Sequence, residues 1–194
     1  MRISETCIPG VFTSRPEQIT DNRGAFYEGF RTDVLEVTAG RTFAPVQVAY
    51  SVSRRNTLRG IHSVTDPPGQ AKWVTCVRGS IRDIAVDLRL GSPAFGQWTA
   101  NILDAASGTS VYIPEGVGHG FVALTDDTCV CYLLSTTYVP GTQVDIDPFD
   151  PELAIDWGLD GPPVISSKDA AAQSLAAARE AGLLLSWNQK GDAP

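Results

Sequence analysis

The chain holds two histidines, His62 and His119, so each imidazole is a rare resource for acid–base work near neutral pH. His62 lies in Leu58-Arg59-Gly60-Ile61-His62-Ser63, a segment that reads as a strand. Alternation along such a strand puts Leu58, Gly60 and His62 on one face and turns Arg59 and Ile61 the other way. Lys72 follows after Pro67-Pro68-Gly69, a turn that would set its strand beside that of His62. A histidine and a lysine inside a barrel are costly to bury without partners, which makes both functional candidates. On spacing alone, a surface histidine and a solvated lysine remain equally open. Tyr132 shares a strand face with Val130 and Leu134, so its default reading is a packing tyrosine whose hydroxyl finds a partner. Tyr138, just past that strand, could stack on a ring, and neither tyrosine stands out by itself.

The elements that must position these residues are mostly strands. Segments 46–53, 58–63, 72–77, 81–88, 95–103, 110–113, 120–124 and 128–135 are β-rich. Between them lie turn signals such as Arg78-Gly79, Gly91-Ser92-Pro93, Pro114-Glu115-Gly116 and Thr125-Asp126-Asp127. Ile84, Val86 and Leu88 alternate with Asp83, Ala85 and Asp87, a period of two. Many short strands at this spacing predict a mainly β protein, a jelly-roll barrel over about residues 40–140. An earlier hairpin has Asp21-Asn22-Arg23-Gly24 near its tip. Ser166-Ser167-Lys168-Asp169 followed by the alanine-rich run Ala170 to Ala181 and Gly182 predicts one capped helix, within a helical appendage over about 150–187.

The 194 residues suit one domain, 1–194, able to bury about 70% of its unfolded surface. A net charge of −7 argues against nucleic acid or an anionic membrane as partner, though it says nothing about one pocket. Neither a signal-peptide core at the start nor a run of about 18 apolar residues is found, so no membrane span is expected. Cys7, Cys76, Cys129 and Cys131 show no C-x-x-C spacing and read as reduced packing residues of a cytoplasmic protein.

His119 sits in Pro114-Glu115-Gly116-Val117-Gly118-His119-Gly120, a P-x-G-x-x-H run that resembles the second motif of the cupin barrels. Metal cupins also carry H-x-H and a glutamate in a first motif. Here His62 is followed by Ser63 and Val64, so carboxylates would have to complete any ligand set. A cupin without metal is the better reading.

Taken together the motifs are more specific. Asp21-Asn22-Arg23-Gly24-Ala25-Phe26-Tyr27-Glu28, Arg59-Gly60-Ile61-His62, Pro67-Pro68-Gly69-Gln70-Ala71-Lys72, Asp87-Leu88-Arg89, Tyr112 to Phe121 and Asp156-Trp157 resemble the dTDP-4-dehydrorhamnose 3,5-epimerase family. The likeness runs over roughly residues 5–185 and leans toward the branch that serves antibiotic deoxysugar pathways.

The resemblance implies a cofactor-independent epimerase of a dTDP-linked 4-keto-6-deoxyhexose. A proton leaves C3 or C5 beside the C4 ketone, and another returns to the opposite face. By similarity His62 is the base, Tyr132 the acid, Asp169 the carboxylate that orients the histidine, and Lys72 a support for the enolate oxygen. Arg23, Glu28, Gln47, Arg59, His119, Gln143 and Lys168 match positions around the nucleotide, and Tyr138 matches the aromatic stacked on thymine. Relatives exchange N-terminal strands in a dimer, so a homodimer is implied, with Arg23 and Glu28 serving the partner's pocket. Ala49 stands where the family has an asparagine, Gln143 where it has a glutamate, and Ser63 where an aromatic is usual. These departures bear on whether C3, C5 or both are inverted. Competing readings are a 3,4-ketoisomerase on the same substrate, a non-catalytic sugar-nucleotide-binding cupin, and a metal-dependent cupin. Opposed acid and base argue for the epimerase.

Overall fold

The computed structural model describes residues 1–187; the end of the expected 1–194 domain lies outside the described residues. β1 (Arg2–Glu5) and β2 (Phe12–Arg15) form an opening hairpin. β3 (Ile19–Asp21) and β4 (Gly24–Phe26) form a second hairpin, exposed along its whole length and turned at Asn22-Arg23 as expected. α1 (Thr32–Ala39) follows and stops at Gly40, whose φ of 61° is the left-handed conformation glycine supplies. The barrel is built from β5 (Gln47–Ser53), β6 (Leu58–Val64), β7 (Lys72–Arg78), β8 (Ser80–Asp87), β9 (Trp98–Asp104), β10 (Ser110–Ile113), β11 (Val117–Ala123) and β12 (Thr128–Leu134). A short β13 (Gln143–Asp145) adds one edge.

One sheet has the order β1-β2-β10-β7-β12-β5 and the other β13-β6-β11-β8-β9, every pairing antiparallel. The two face each other as a jelly roll. Val74, Cys76, Val111 and Val130 of the first meet Ile81, Leu103, Phe121 and Ala123 of the second, forming the core between the sheets. Burying each large apolar side chain there contributes about 1.5–3 kcal/mol. The outer face of the five-stranded sheet is also covered: Leu58, Ile61, Ile84, Val86 and Val122 pack under Trp157, Leu175, Ala178 and Leu184. Thus β8 is buried on both faces, and its Asp83–Ala85–Asp87 face is the inner one. The outer face of the six-stranded sheet is covered at one end, where Phe30, Leu35 and Phe43 pack on Trp73 and Tyr112. At its β5 end Val48, Tyr50 and Val52 stay 54–64% exposed.

The expected single helix is two short ones, α2 (Ser167–Ala170) and α3 (Leu175–Glu180). The Asp169 amide donates to Ser166 Oγ at 3.0 Å, so the expected N-cap is present. Alanine propensity then loses to docking. The chain leaves the helix so that Gln173 O accepts from the Asp147 amide at 2.8 Å, beside a bridge to Ile146. Ser174 caps the restart and Gly182, φ 68°, ends it. All four cysteines are free thiols, but Cys7 is exposed rather than packed. Among the described residues, no helix is long and apolar enough to cross a membrane.

Candidate active site

A bulge in β6 decides which side chains reach the barrel interior. Its pairing with β11 matches His62 to His119 but Arg59 to Phe121, leaving Gly60 and Ile61 together opposite Gly120. Gly60 has φ 127°, and a Cβ there would come within 2.5 Å of Gly120 Cα, so only glycine fits. The extra residue reverses the alternation. Leu58 and Ile61 both join the outer apolar cluster, and Arg59 turns to the same side as His62. The expected grouping of Leu58 and Gly60 with His62 is therefore corrected, because a bulge breaks the period of two. Arg59 Nε donates to Ser53 Oγ at 3.1 Å and its guanidinium to the Val52 carbonyl at 3.2 Å.

A second correction concerns Lys72. Its strand does not lie beside that of His62, since β7 and β6 belong to opposite sheets. The connection over residues 65–71 crosses between sheets, and Lys72 Nζ reaches back to donate to the His62 carbonyl at 3.2 Å. Lys72 is only 8% exposed. Burial pulls its ammonium down to about 8, against the opposing pull of Asp145 and Asp83.

His62 Nε2 sits 2.8 Å from Oδ1 of Asp169, which α2 delivers and which is almost fully buried. An ionised carboxylate can only accept, so Nε2 carries the proton and Nδ1 keeps a lone pair. Burial holds this imidazole below its usual 6.5, with Asp169 pulling part of the way back. It is a neutral base at pH 7. A second carboxylate, Asp145, lies opposite His62 in the β13–β6 register with Oδ1 at 3.8 Å from the same nitrogen. Lys168 Nζ donates to that oxygen at 2.7 Å.

The facing sheet presents Tyr132. Its hydroxyl lies 3.1 Å from Ser51 Oγ, and its ring stands edge-on to His119, centroids 6.1 Å apart. Burial pushes the phenol well above its usual range, so it holds its proton. Beneath it His119 Nε2 is 2.5 Å from Oδ2 of the fully buried Asp83. Ala49 lies directly opposite Tyr132 on β5, so the departure there opens space beside the phenol. Ser63 follows His62 and faces away from the cavity.

Gln47 and Gln143 lie on β5 and β13 beside this group, whereas Arg23 and Glu28 lie apart from it, on or just after the separate β3–β4 hairpin. Gln47 Oε1 accepts from the amide of Tyr138, a ring left 62% exposed. Gln143 lies two residues before Asp145 on one face of β13. Arg23 and Glu28 engage their own segment: Arg23 bonds Asp21 at 2.6 Å, and Glu28 lies 3.4 Å from Arg31. Asp83, Asp145 and Ser51 are site residues that sequence reasoning passed over. A signal existed for two of them: Asp83 sits in the alternation of β8, and Asp145 sits between the apolar Val144 and Ile146. Among the described residues, no group of three or more His, Cys, Asp or Glu side chains is arranged to hold a metal ion.

A neutral imidazole on one wall, a protonated phenol on the other and an ammonium between them can deprotonate a carbon acid on one face and reprotonate it on the other. Barrel and site together define a class, the cupin-fold isomerases. The sequence pattern of the dTDP-4-dehydrorhamnose 3,5-epimerase family matches residues 5–177. A dTDP-4-dehydrorhamnose 3-epimerase from Streptomyces niveus is 49% identical over 184 residues, covering 95% of this chain and 88% of that one. The crystal structure of NovW, a 4-keto-6-deoxy sugar epimerase from the novobiocin gene cluster of Streptomyces spheroides, matches with a TM-score of 0.93 at 48% identity, over 96% of this chain and 94% of that one. ChmJ, a 3′-monoepimerase from Streptomyces bikiniensis solved with dTDP-quinovose, matches with a TM-score of 0.89 at 41% identity, over 93% and 91%. The chain belongs to the dTDP-4-dehydrorhamnose 3,5-epimerase family.

Proposed function

We propose that the protein epimerises a dTDP-linked 4-keto-6-deoxyhexose at C3, C5 or both, in antibiotic deoxysugar biosynthesis. The observation that carries this reading is His62 on one sheet, held by Asp169 of α2, facing the proton-holding Tyr132 on the other sheet. His62 Nδ1 takes the proton from the carbon beside the C4 ketone, and the charge moves to the ketone oxygen as an enolate. Lys72, whose buried ammonium has few other partners for its charge, steadies that oxygen. Tyr132 then delivers its proton to the opposite face of the carbon. Solvent then takes the proton from the imidazolium and returns one to the phenolate, which closes a cycle that calls on no cofactor.

Arg59 and Lys168 suit the diphosphate oxygens, Gln47, Gln143 and His119 line the nucleotide pocket, and Tyr138 offers a ring for thymine. Arg23 and Glu28, on the exposed hairpin segment, serve the pocket of a second protomer. The exposed Val48, Tyr50 and Val52 and the hairpin's Ile19 and Phe26, 67% and 68% exposed, support a homodimer that covers them. Free thiols throughout fit a cytoplasmic location.

Incubation with dTDP-4-keto-6-deoxyglucose in D₂O tests the reading. Deuterium is expected at C3, at C5 or at both, and the pattern reports which carbons are inverted. No exchange at either carbon overturns it.

A further inference from the structure

Around His62 the structure sets five charged or titratable groups from other elements: Asp169 on α2, Asp145 on β13, Lys72 on β7, His119 on β11 and, from the facing sheet, Tyr132 on β12. Arg59 shares its strand, and Lys168 reaches it through Asp145. Asp169 and Lys72 are 4% and 8% exposed and have no room to change partners. The Asp145–Lys168 pair is different. Lys168 is 57% exposed, whereas Asp145 is 21% exposed and held by strand register opposite His62. One oxygen, Asp145 Oδ1, faces both the Lys168 ammonium at 2.7 Å and His62 Nε2 at 3.8 Å.

We propose that Asp145 is a positioning residue that couples nucleotide binding to the basicity of His62, by giving up Lys168 to the bound diphosphate. This rests on the substrate reading above. A solvent-exposed lysine–carboxylate pair is cheap to break. A diphosphate carries more negative charge than one carboxylate and wins the exposed ammonium. Once Lys168 has swung away, Asp145 faces the imidazole uncompensated and favours its protonated form. The base is weaker in the empty pocket and stronger in the filled one. The strand pairing of β13 runs through backbone groups, so the carboxylate itself is spare for this role.

With only two histidines, the His62 imidazole can be titrated by NMR in ¹⁵N-histidine-labelled protein, with and without dTDP as the probe. In the wild type its midpoint is expected to rise by about one pH unit on binding dTDP. Asp145→Asn should start lower, rise by less than half as much, and bind dTDP roughly two- to fivefold more tightly because Lys168 is released. Lys168→Met should start higher than wild type and bind dTDP about tenfold more weakly. Asp145→Glu should restore the wild-type rise. A purely structural role for Asp145 would weaken dTDP binding and would not move the two free-state midpoints in opposite directions. An Asp145→Asn variant with the full wild-type rise, or midpoints shifting the same way in Asp145→Asn and Lys168→Met, overturns the coupling alone. Failure of the wild type to bind dTDP would overturn both the coupling and the substrate reading.

Discussion

Two histidine–aspartate pairs stand side by side on the five-stranded sheet, His119 and His62 being cross-strand neighbours. In the first, both partners come from adjacent strands, β11 and β8, and their side chains are 6% and 0% exposed at 2.5 Å. In the second, the imidazole is 33% exposed and the carboxylate is brought from outside the barrel by α2, at 2.8 Å. The same two groups therefore do different work. A pair sealed in the sheet under Tyr132 fixes the cavity wall, and breaking it strands a charge in the interior. A pair with one open edge can change its proton every turnover. On the proposed function, what separates scaffold from reagent is access to the second nitrogen, not the identity of the partner.

The contrast is open to direct attack, beginning with the largest effect. Replacing His62 with alanine should lower turnover by about 10³–10⁴-fold, with a loss of urea stability smaller than that of Asp83→Asn because the open edge admits water to Asp169. A stable, fully active His62→Ala would merge the two pairs into one structural class. Next, Tyr132→Phe removes the acid while sparing the base. Inversion should fall by roughly 10²–10³-fold while deuterium still enters the substrate, so product and exchange assays part company.

The carboxylates give the third test. Asp83→Asn should cost about 3 kcal/mol of stability by urea unfolding, because a buried histidine loses its charged partner. Asp169→Asn should instead reduce turnover by about 10²-fold. It should also shift the acid limb of kcat/KM, already below the ordinary histidine value of 6.5, to still lower pH, because Asp169 is the group that raises it. Equal stability losses in the two variants would erase the distinction. The last test sits on Lys72. Its folded value of about 8 lies below the ordinary 10.5, so between these values the unfolded chain binds more protons. The Lys72 contribution should rise with pH across that window by about 3 kcal/mol, read as the difference between wild type and Lys72→Met because Cys76, pushed up to about 11, works the other way above pH 9. A difference between wild type and Lys72→Met that does not change with pH would show that the ammonium is better solvated than its burial implies.

Much of the barrel was legible because its turns are punctuated by glycine and proline, whose backbone limits are local. The bulge was not. Gly60 inside a strand pattern is compatible with a bulge, a bend or a close approach, and only the presence of Gly120 opposite resolves it. The placement of β6 and β7 in opposite sheets was hidden because a turn signal does not say whether the chain reverses within a sheet or crosses to another. The alanines after Ser166 have genuine helix propensity, yet Gln173 gains more from docking on Ile146 than from staying helical. His62 and Tyr132 were marked by resemblance, and their opposition across two sheets needed the fold. Asp145 was visible as an acid between Val144 and Ile146, but nothing local points it at His62.

The position of Asp169 in the chain has a consequence in time. Strands β5 to β12 are all synthesised before it, and N-terminal parts of a chain fold first as it emerges. A growing chain can thus close its two sheets around His62 while the imidazole still lacks its carboxylate. In that order the pocket closes first, and His62 gains its carboxylate only when α2 docks.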